Sequence, residues 1–393
     1  MPPRPVARQE GLEPHGGNRE AAARRLGCRP EQVLDASASL VPFGPPSGVA
    51  RALRGGLWGC GGLALRDYPD RSYRDLRGAI SRHHGLDPAW VLPGNGAAEL
   101  FTWAGRDAAS SGISLLPRPG FSDYGRALAC WDGRWDPLPL PLQWEEAFGA
   151  PFPVPPDADR RAVLWICNPH NPTGQLWSRA SLEPLLERFA LVICDEAFMP
   201  LVPQEGDASL IPLLESHPNL VVIRSLTKLF SIAGLRLGYA LGHPDRLERW
   251  RRWRDPWPVN GLAAVVGRFL LEDQAALDRW TRRVRRWVAT EGRWLANGLA
   301  SMPGLTPLPS AANYLLLRSG PLEGPRPSLN PLRLALEQRH RILLRDCRSF
   351  DGLGESWLRI GLQDRRGNRR ILRALRYETA AGLDPQGLFC LER

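Results

Sequence analysis

Of the 51 lysines and arginines in this chain, Lys228 is the only lysine. An ammonium group can lose its proton, attack a carbonyl and act as a base, whereas a guanidinium does none of these. A lysine that stands alone among arginines therefore marks a place for amine chemistry. Ser225 and Thr227 precede it in Ser225-Leu226-Thr227-Lys228, and Arg236 follows eight residues later. Asp195 opens the run Asp195-Glu196-Ala197-Phe198 directly after an apolar stretch, where a carboxylate is costly unless it meets a cation. Asn171 lies in Asn168-Pro169-His170-Asn171-Pro172-Thr173-Gly174, whose two Asn-Pro steps and glycine dictate a tightly turned loop that presents an amide. Gly94-Asn95-Gly96-Ala97-Ala98-Glu99 is a run of small residues opening a helix, where free N–H groups and the positive dipole end suit a phosphate.

The elements that must position these groups follow from the apolar pattern. Short apolar runs at 90–92, 113–116, 163–167, 191–194, 220–224 and 237–241 predict strands bounded by Gly, Pro and polar turns. Helical patterns at 73–84, 97–108, 122–129 and 179–189 alternate with them. That alternation predicts an α/β fold, a large domain with a doubly wound, mostly parallel sheet, whose ligands sit beyond the carboxyl ends of the strands. After residue 245 the texture changes. Helices over 247–253, 261–271 and 277–299, strands near 314–317, 342–344 and 357–360, and helices near 332–340 and 369–379 predict a smaller α+β domain. Asn18 is placed to cap a helix over 19–26, with a strand over 33–36 beyond it. The expected division is a large domain over 46–255 and a small domain built from 1–45 and 256–393.

Pyridoxal phosphate asks for all of these groups at once. Its aldehyde needs an amine, its ring nitrogen a carboxylate that keeps it protonated as an electron sink, and its phenolate oxygen a donor. Lys228, Asp195 and Asn171 supply these. Ser225, Thr227, Arg236 and the Gly96-Ala97-Ala98 turn supply hydroxyls, a cation and N–H groups for its phosphate.

Composition narrows the partners. The 393 residues are 43% hydrophobic and 23% charged, as in an ordinary soluble protein of two or three domains. No apolar run reaches the ~20 residues of a membrane span; the stretch 262–271 is interrupted by Arg268. The first residues carry no secretory signal. Seven scattered cysteines without a Cys-x-x-Cys pair argue against a metal site and a disulfide framework, and for a reducing cytoplasm. The net charge of +10 suits anionic small molecules, while the dispersal of the arginines argues against nucleic acid.

These segments, above all 168–174, 195–198 and 225–239, resemble the class I/II branch of the fold type I pyridoxal-phosphate aminotransferase superfamily along essentially the whole chain. The resemblance implies that Tyr124, in Pro119-Gly120-Phe121-Ser122-Asp123-Tyr124, stacks on the cofactor ring. It implies that Tyr68, in Tyr68-Pro69-Asp70, reaches the cofactor phosphate of a neighbouring subunit, making a homodimer with shared active sites. Arg359, in Trp357-Leu358-Arg359-Ile360, falls where the family clamps the substrate carboxylate. Within the superfamily, His15-Gly16-Gly17-Asn18 and Arg345-Asp346-Cys347-Arg348-Ser349-Phe350 resemble the threonine-phosphate decarboxylases of cobalamin biosynthesis, with histidinol-phosphate aminotransferases as near relatives. Under the first resemblance His15 and Arg345 bind a substrate phosphate, and the reaction is decarboxylation of O-phospho-L-threonine; under the second it is transamination. Two departures stand out. Ser37-Ala38-Ser39-Leu40-Val41-Pro42 lacks the two asparagines usual in the family, and Phe198 replaces a tyrosine that many aminotransferases place on the phenolate.

Overall fold

Among the residues described by this computed structural model (15–59, 62–154, 161–321, 324 and 326–380), twelve strands form two sheets. In chain order they are β1 (Leu34–Ala36), β2 (Val91–Asn95), β3 (Ser114–Arg118), β4 (Trp135–Pro139), β5 (Val163–Cys167) and β6 (Leu191–Asp195). There follow β7 (Leu220–Ser225), β8 (Leu237–Gly242), β9 (Leu305–Pro307), β10 (Tyr314–Ser319), β11 (Ile342–Asp346) and β12 (Trp357–Gly361).

The larger sheet has seven strands in the order β2-β8-β7-β6-β5-β3-β4. All run parallel except β8, which is antiparallel to both neighbours. Up to their carboxyl ends its central strands are apolar, because both faces are covered. Val192, Cys194 and Val222 enter one core, and Leu191, Ile193, Val221 and Ile223 the other, the alternation that a pleated strand imposes. The smaller sheet has five strands in the order β1-β11-β12-β10-β9. Here β1 is parallel to β11, and the other pairs are antiparallel.

The expected break falls at residue 255. The helix Gly261–Glu272 follows it, yet returns to the larger layer: Gly267 abuts Leu237 and Leu76, and Phe269 closes over Gly48. The crossing lies inside the next helix, Gln274–Ala300. Early in that helix Trp280 donates to Leu229 O at 2.9 Å, and Arg285 to Pro200 O at 3.1 Å. Later Trp287 donates to Gln363 O at 3.0 Å, and Gly298 packs on Leu372. At about 1.5 Å per residue, such a helix is long enough to serve both layers. Cys28, Cys130, Cys167, Cys194 and Cys347 are free thiols; Cys60, Cys390 and the start of the chain lie outside the described residues. No helix among the described residues is long and apolar enough to cross a membrane.

Candidate active site

Asp195 is the last residue of β6, 5% exposed, and its side chain is held at both oxygens. Oδ1 accepts the Ala197 N–H at 2.9 Å, and Oδ2 accepts the Tyr124 hydroxyl at 2.6 Å. Burial pushes its carboxyl up to about 6, against the pull of those two donors and of Lys228. One strand over, β7 ends at Ser225 and passes into the short helix Leu226–Phe230, which carries Thr227 and Lys228. Burial, and next the charge of Arg359, bring the Lys228 amine down to about 8, so a fraction is a free nucleophile near neutrality. The flanking charges of these strand ends leave the pocket: Arg224 and Glu196 form a buried ion pair at 2.6 Å.

The phosphate cup is shaped by glycine. Gly96 opens the helix Gly96–Ser111 with φ +73°, and a Cβ there would lie 2.6 Å from Arg236 Nη2. A Cβ on Gly238 would come within 2.9 Å of the Ala97 nitrogen. The backbone N–H groups, Ser225, Thr227 and Arg236 thus converge without intervening side chains.

A cavity of about 320 Å³ joins these groups to the smaller sheet. Lys228, Arg236, Arg345 and Arg359 line it against a single acid, Asp195, among the described residues. Arg359 on β12 faces Arg345 on β11 at the same register position. Both are buried, at 6% and 4% exposed, and like charges directly opposite one another repel. Each guanidinium rests on the Phe350 ring, at 5.0 Å for Arg345 and 5.7 Å for Arg359. Arg345 donates to Ser349 Oγ at 2.5 Å. Arg359 donates to Asn171 Oδ1 and, at 3.1 Å, to Ser37 O, while its buried Nε has no partner among the described residues. Because Arg359 occupies the Asn171 oxygen, the NH₂ of that amide is left as the donor.

His15 also lines the cavity, tilted against Phe121 at 5.8 Å. Burial, and next the charge of Arg345, hold its imidazole below the ordinary range. Its place depends on a close backbone approach: a Cβ on Gly16 would be 2.4 Å from Ser37 O, and Gly17 N donates to Ser37 Oγ at 3.0 Å.

Tyr124 and Tyr68 are not part of the cavity lining. The Tyr124 ring does not line the cavity; it is 1% exposed and packs among Phe101, Phe121 and Trp165, so it offers no open face for stacking. Of the rings around Tyr124, Phe101 lines the cavity, and so does Phe121. Its position just beyond β3 in Arg118-Pro119-Gly120-Phe121 would have marked it by the strand-end rule. Tyr68 is 78% exposed, stacked on Trp257 at 4.3 Å, and does not line its own chain's cavity. Phe198, which lies 5.3 Å from Lys228 Nζ, and Phe350 complete the apolar lining.

A buried amine, a strand-end carboxylate, an amide donor and a side-chain-free phosphate cup fit pyridoxal phosphate. Residues 62–375 match the family described as aminotransferase class I and II; the chain belongs to that family, and its cofactor is pyridoxal phosphate. It is 38% identical over 375 residues to a threonine-phosphate decarboxylase of Salmonella typhimurium, covering 92% of this chain and 95% of that protein. It is 30% identical over 347 residues to a histidinol-phosphate aminotransferase of Symbiobacterium thermophilum, covering 87% and 89%. Its fold is similar to that of the histidinol-phosphate aminotransferase of Sinorhizobium meliloti solved with pyridoxal-5'-phosphate (TM-score 0.76, 21% identity, 96% of this chain and 99% of that one).

Proposed function

We propose that the protein decarboxylates O-phospho-L-threonine, releasing carbon dioxide and (R)-1-aminopropan-2-yl phosphate, as a step of cobalamin biosynthesis. The observation that carries this reading is the register pair of buried guanidiniums, Arg345 and Arg359, opening on the Lys228 cavity. Two guanidiniums that open on one cavity suit two anionic groups, and a compact amino acid with a carboxylate and a phosphate supplies both. The Salmonella relative, a threonine-phosphate decarboxylase, supports the same choice.

Bound here, the cofactor supplies an electron sink for the bond broken at Cα. Arg359 takes the carboxylate, for which its Nε is the open donor. Arg345 and His15 take the phosphate. Held at two points on adjacent strands, the substrate has little freedom to rotate about Cα, and the carboxylate is kept at the angle from which it leaves. Asp195 keeps the ring nitrogen protonated, Asn171 donates to the phenolate oxygen, and Lys228 holds or returns a proton at Cα. The same reading makes the protein a cytoplasmic homodimer. Tyr68, exposed and braced by Trp257, is presented outward as a residue lent to a neighbouring subunit must be.

The test measures carbon dioxide release from O-phosphothreonine beside keto-acid consumption with histidinol phosphate. Carbon dioxide release with the first substrate is expected. Rapid transamination of histidinol phosphate without carbon dioxide release would replace the decarboxylase by the aminotransferase and leave the cofactor site standing.

A further inference from the structure

We infer that Tyr124 serves the cofactor through its hydroxyl rather than its ring, as the positioning residue that aims and charges Asp195. The inference rests on the reading of Asp195 as the partner of the ring nitrogen. A carboxylate at a strand end can swivel about its Cβ–Cγ bond, which would blur its direction toward the ring. Here two donors from different elements stop it. The Ala197 N–H, in the turn after β6, holds Oδ1 at 2.9 Å. The Tyr124 hydroxyl, from the helix Asp123–Ala129, holds Oδ2 at 2.6 Å. The tyrosine ring is itself clamped by aromatic contacts with Phe101 at 5.2 Å and Trp165 at 5.2 Å, so the hydroxyl position is set by the core.

The donor also decides the charge state. Burial disfavours an ionised Asp195, and Tyr124 is first among the groups that oppose it. Burial and the Asp195 charge push the phenol well above its ordinary range, so it stays a protonated donor. Cys167 Sγ lies 3.9 Å from the same Oδ2, and burial together with Asp195 pushes that thiol upward too. The carboxylate is thus surrounded by neutral donors, with Lys228 the cation acting upon it.

The test is a binding comparison that needs no turnover. Cofactor-free wild type, Tyr124→Phe, Asp195→Asn and the double variant are titrated with pyridoxal phosphate and with its 1-deaza analogue, whose ring carries C–H in place of nitrogen. Tyr124→Phe removes one buried oxygen and keeps the ring contacts. It is expected to weaken pyridoxal phosphate about tenfold, the scale of one hydrogen bond to a charged group, and to leave the analogue within about twofold of wild type. Added to Asp195→Asn, it should change neither affinity by more than about twofold. Equal weakening of both cofactors by Tyr124→Phe, or no weakening of either, overturns the inference. If Asp195→Asn alone fails to separate the two cofactors, the reading of Asp195 falls, and that failure is distinct from the failure of Tyr124.

Discussion

The two ends of the cavity are built to opposite rules. At the end formed by β6 and β7, the acid has its donors inside the protein: Asp195 is held by Tyr124 and Ala197, and the neighbouring Glu196 by Arg224, Ser209 and Leu210. At the end formed by β11 and β12, two guanidiniums face one another, and the Arg359 Nε is buried without a partner among the described residues. The first arrangement is rigid and complete before the substrate arrives. The second gathers positive charge on the cavity wall, a setting that suits an anionic ligand. Interactions at the first end should therefore govern the chemical step for any substrate, and those at the second should govern which substrate is chosen.

The contrast can be broken most severely at Lys228. Lys228→Ala should abolish turnover, and Lys228→Arg should not restore it, because a guanidinium stays protonated at working pH. Steady-state product from either purified variant above a no-enzyme blank would remove the lysine from the chemistry. Next in size, Asp195→Asn should lower kcat by about three orders of magnitude, some 4 kcal/mol, with cofactor still bound. A variant within about tenfold of wild type would detach the acid from the ring nitrogen.

At the other end, Arg345→Ala should lower kcat/KM for O-phosphothreonine by about 100-fold, and leave the slow reaction with threonine within about threefold, since only the phosphate is lost from its grip. Equal losses on both substrates would make Arg345 a structural residue and erase the proposed division of labour. A gentler probe is pH. With the Lys228 amine brought down to about 8, the rate at which the cofactor-free protein captures pyridoxal phosphate should rise about tenfold per pH unit below that value and level off above it. A rate still climbing at pH 10 would mean that burial does not depress the amine.

The smallest expected effect lies in the loop that carries Asn171. Burial brings His170 down to about 3, from an unfolded value near 6.5. Between those values the unfolded chain binds more protons than the folded one, so stability rises with pH and is lost as pH falls through 6.5. The loss from this residue should be about 1.4 kcal/mol at pH 5.5. Urea unfolding at pH 7.5 and 5.5 should show a difference smaller by that amount in His170→Gln; parallel curves would sink the assignment.

The cofactor end was legible because each of its groups is contiguous with a strand end. Reading Asp195 off β6 and Ser225, Thr227 and Lys228 off β7 required only the direction of those strands. The orientation of Tyr124 was not legible, since its helix begins at Asp123 and a small rotation decides whether the ring or the hydroxyl meets the cavity. Nor could the pairing of Arg345 with Arg359 be read from spacing, because it is set by strand register. Among the elements that escaped, such as β9, two did so for local reasons. The helix Gly48–Trp58 contains two adjacent glycines and follows a proline-rich stretch. β4 carries two prolines, which count against a strand except at a sheet edge, where β4 lies.

The parallel pairing of β1 with β11 has a consequence for synthesis of the chain. Residues 34–36 find their partners only when residues 342–344 have been made. At ~5–20 residues per second, the ribosome takes on the order of 15–60 s to cover that interval. All seven strands of the larger sheet emerge during the wait, so the cofactor cup can be assembled while translation continues. The His15 segment, although made early, must wait for the last third of the chain before Gly16 has Ser37 fixed against it. Pulse-labelled nascent chains arrested near residue 300 should thus be able to protect the β5–β7 region from protease before they can protect the N-terminal arm.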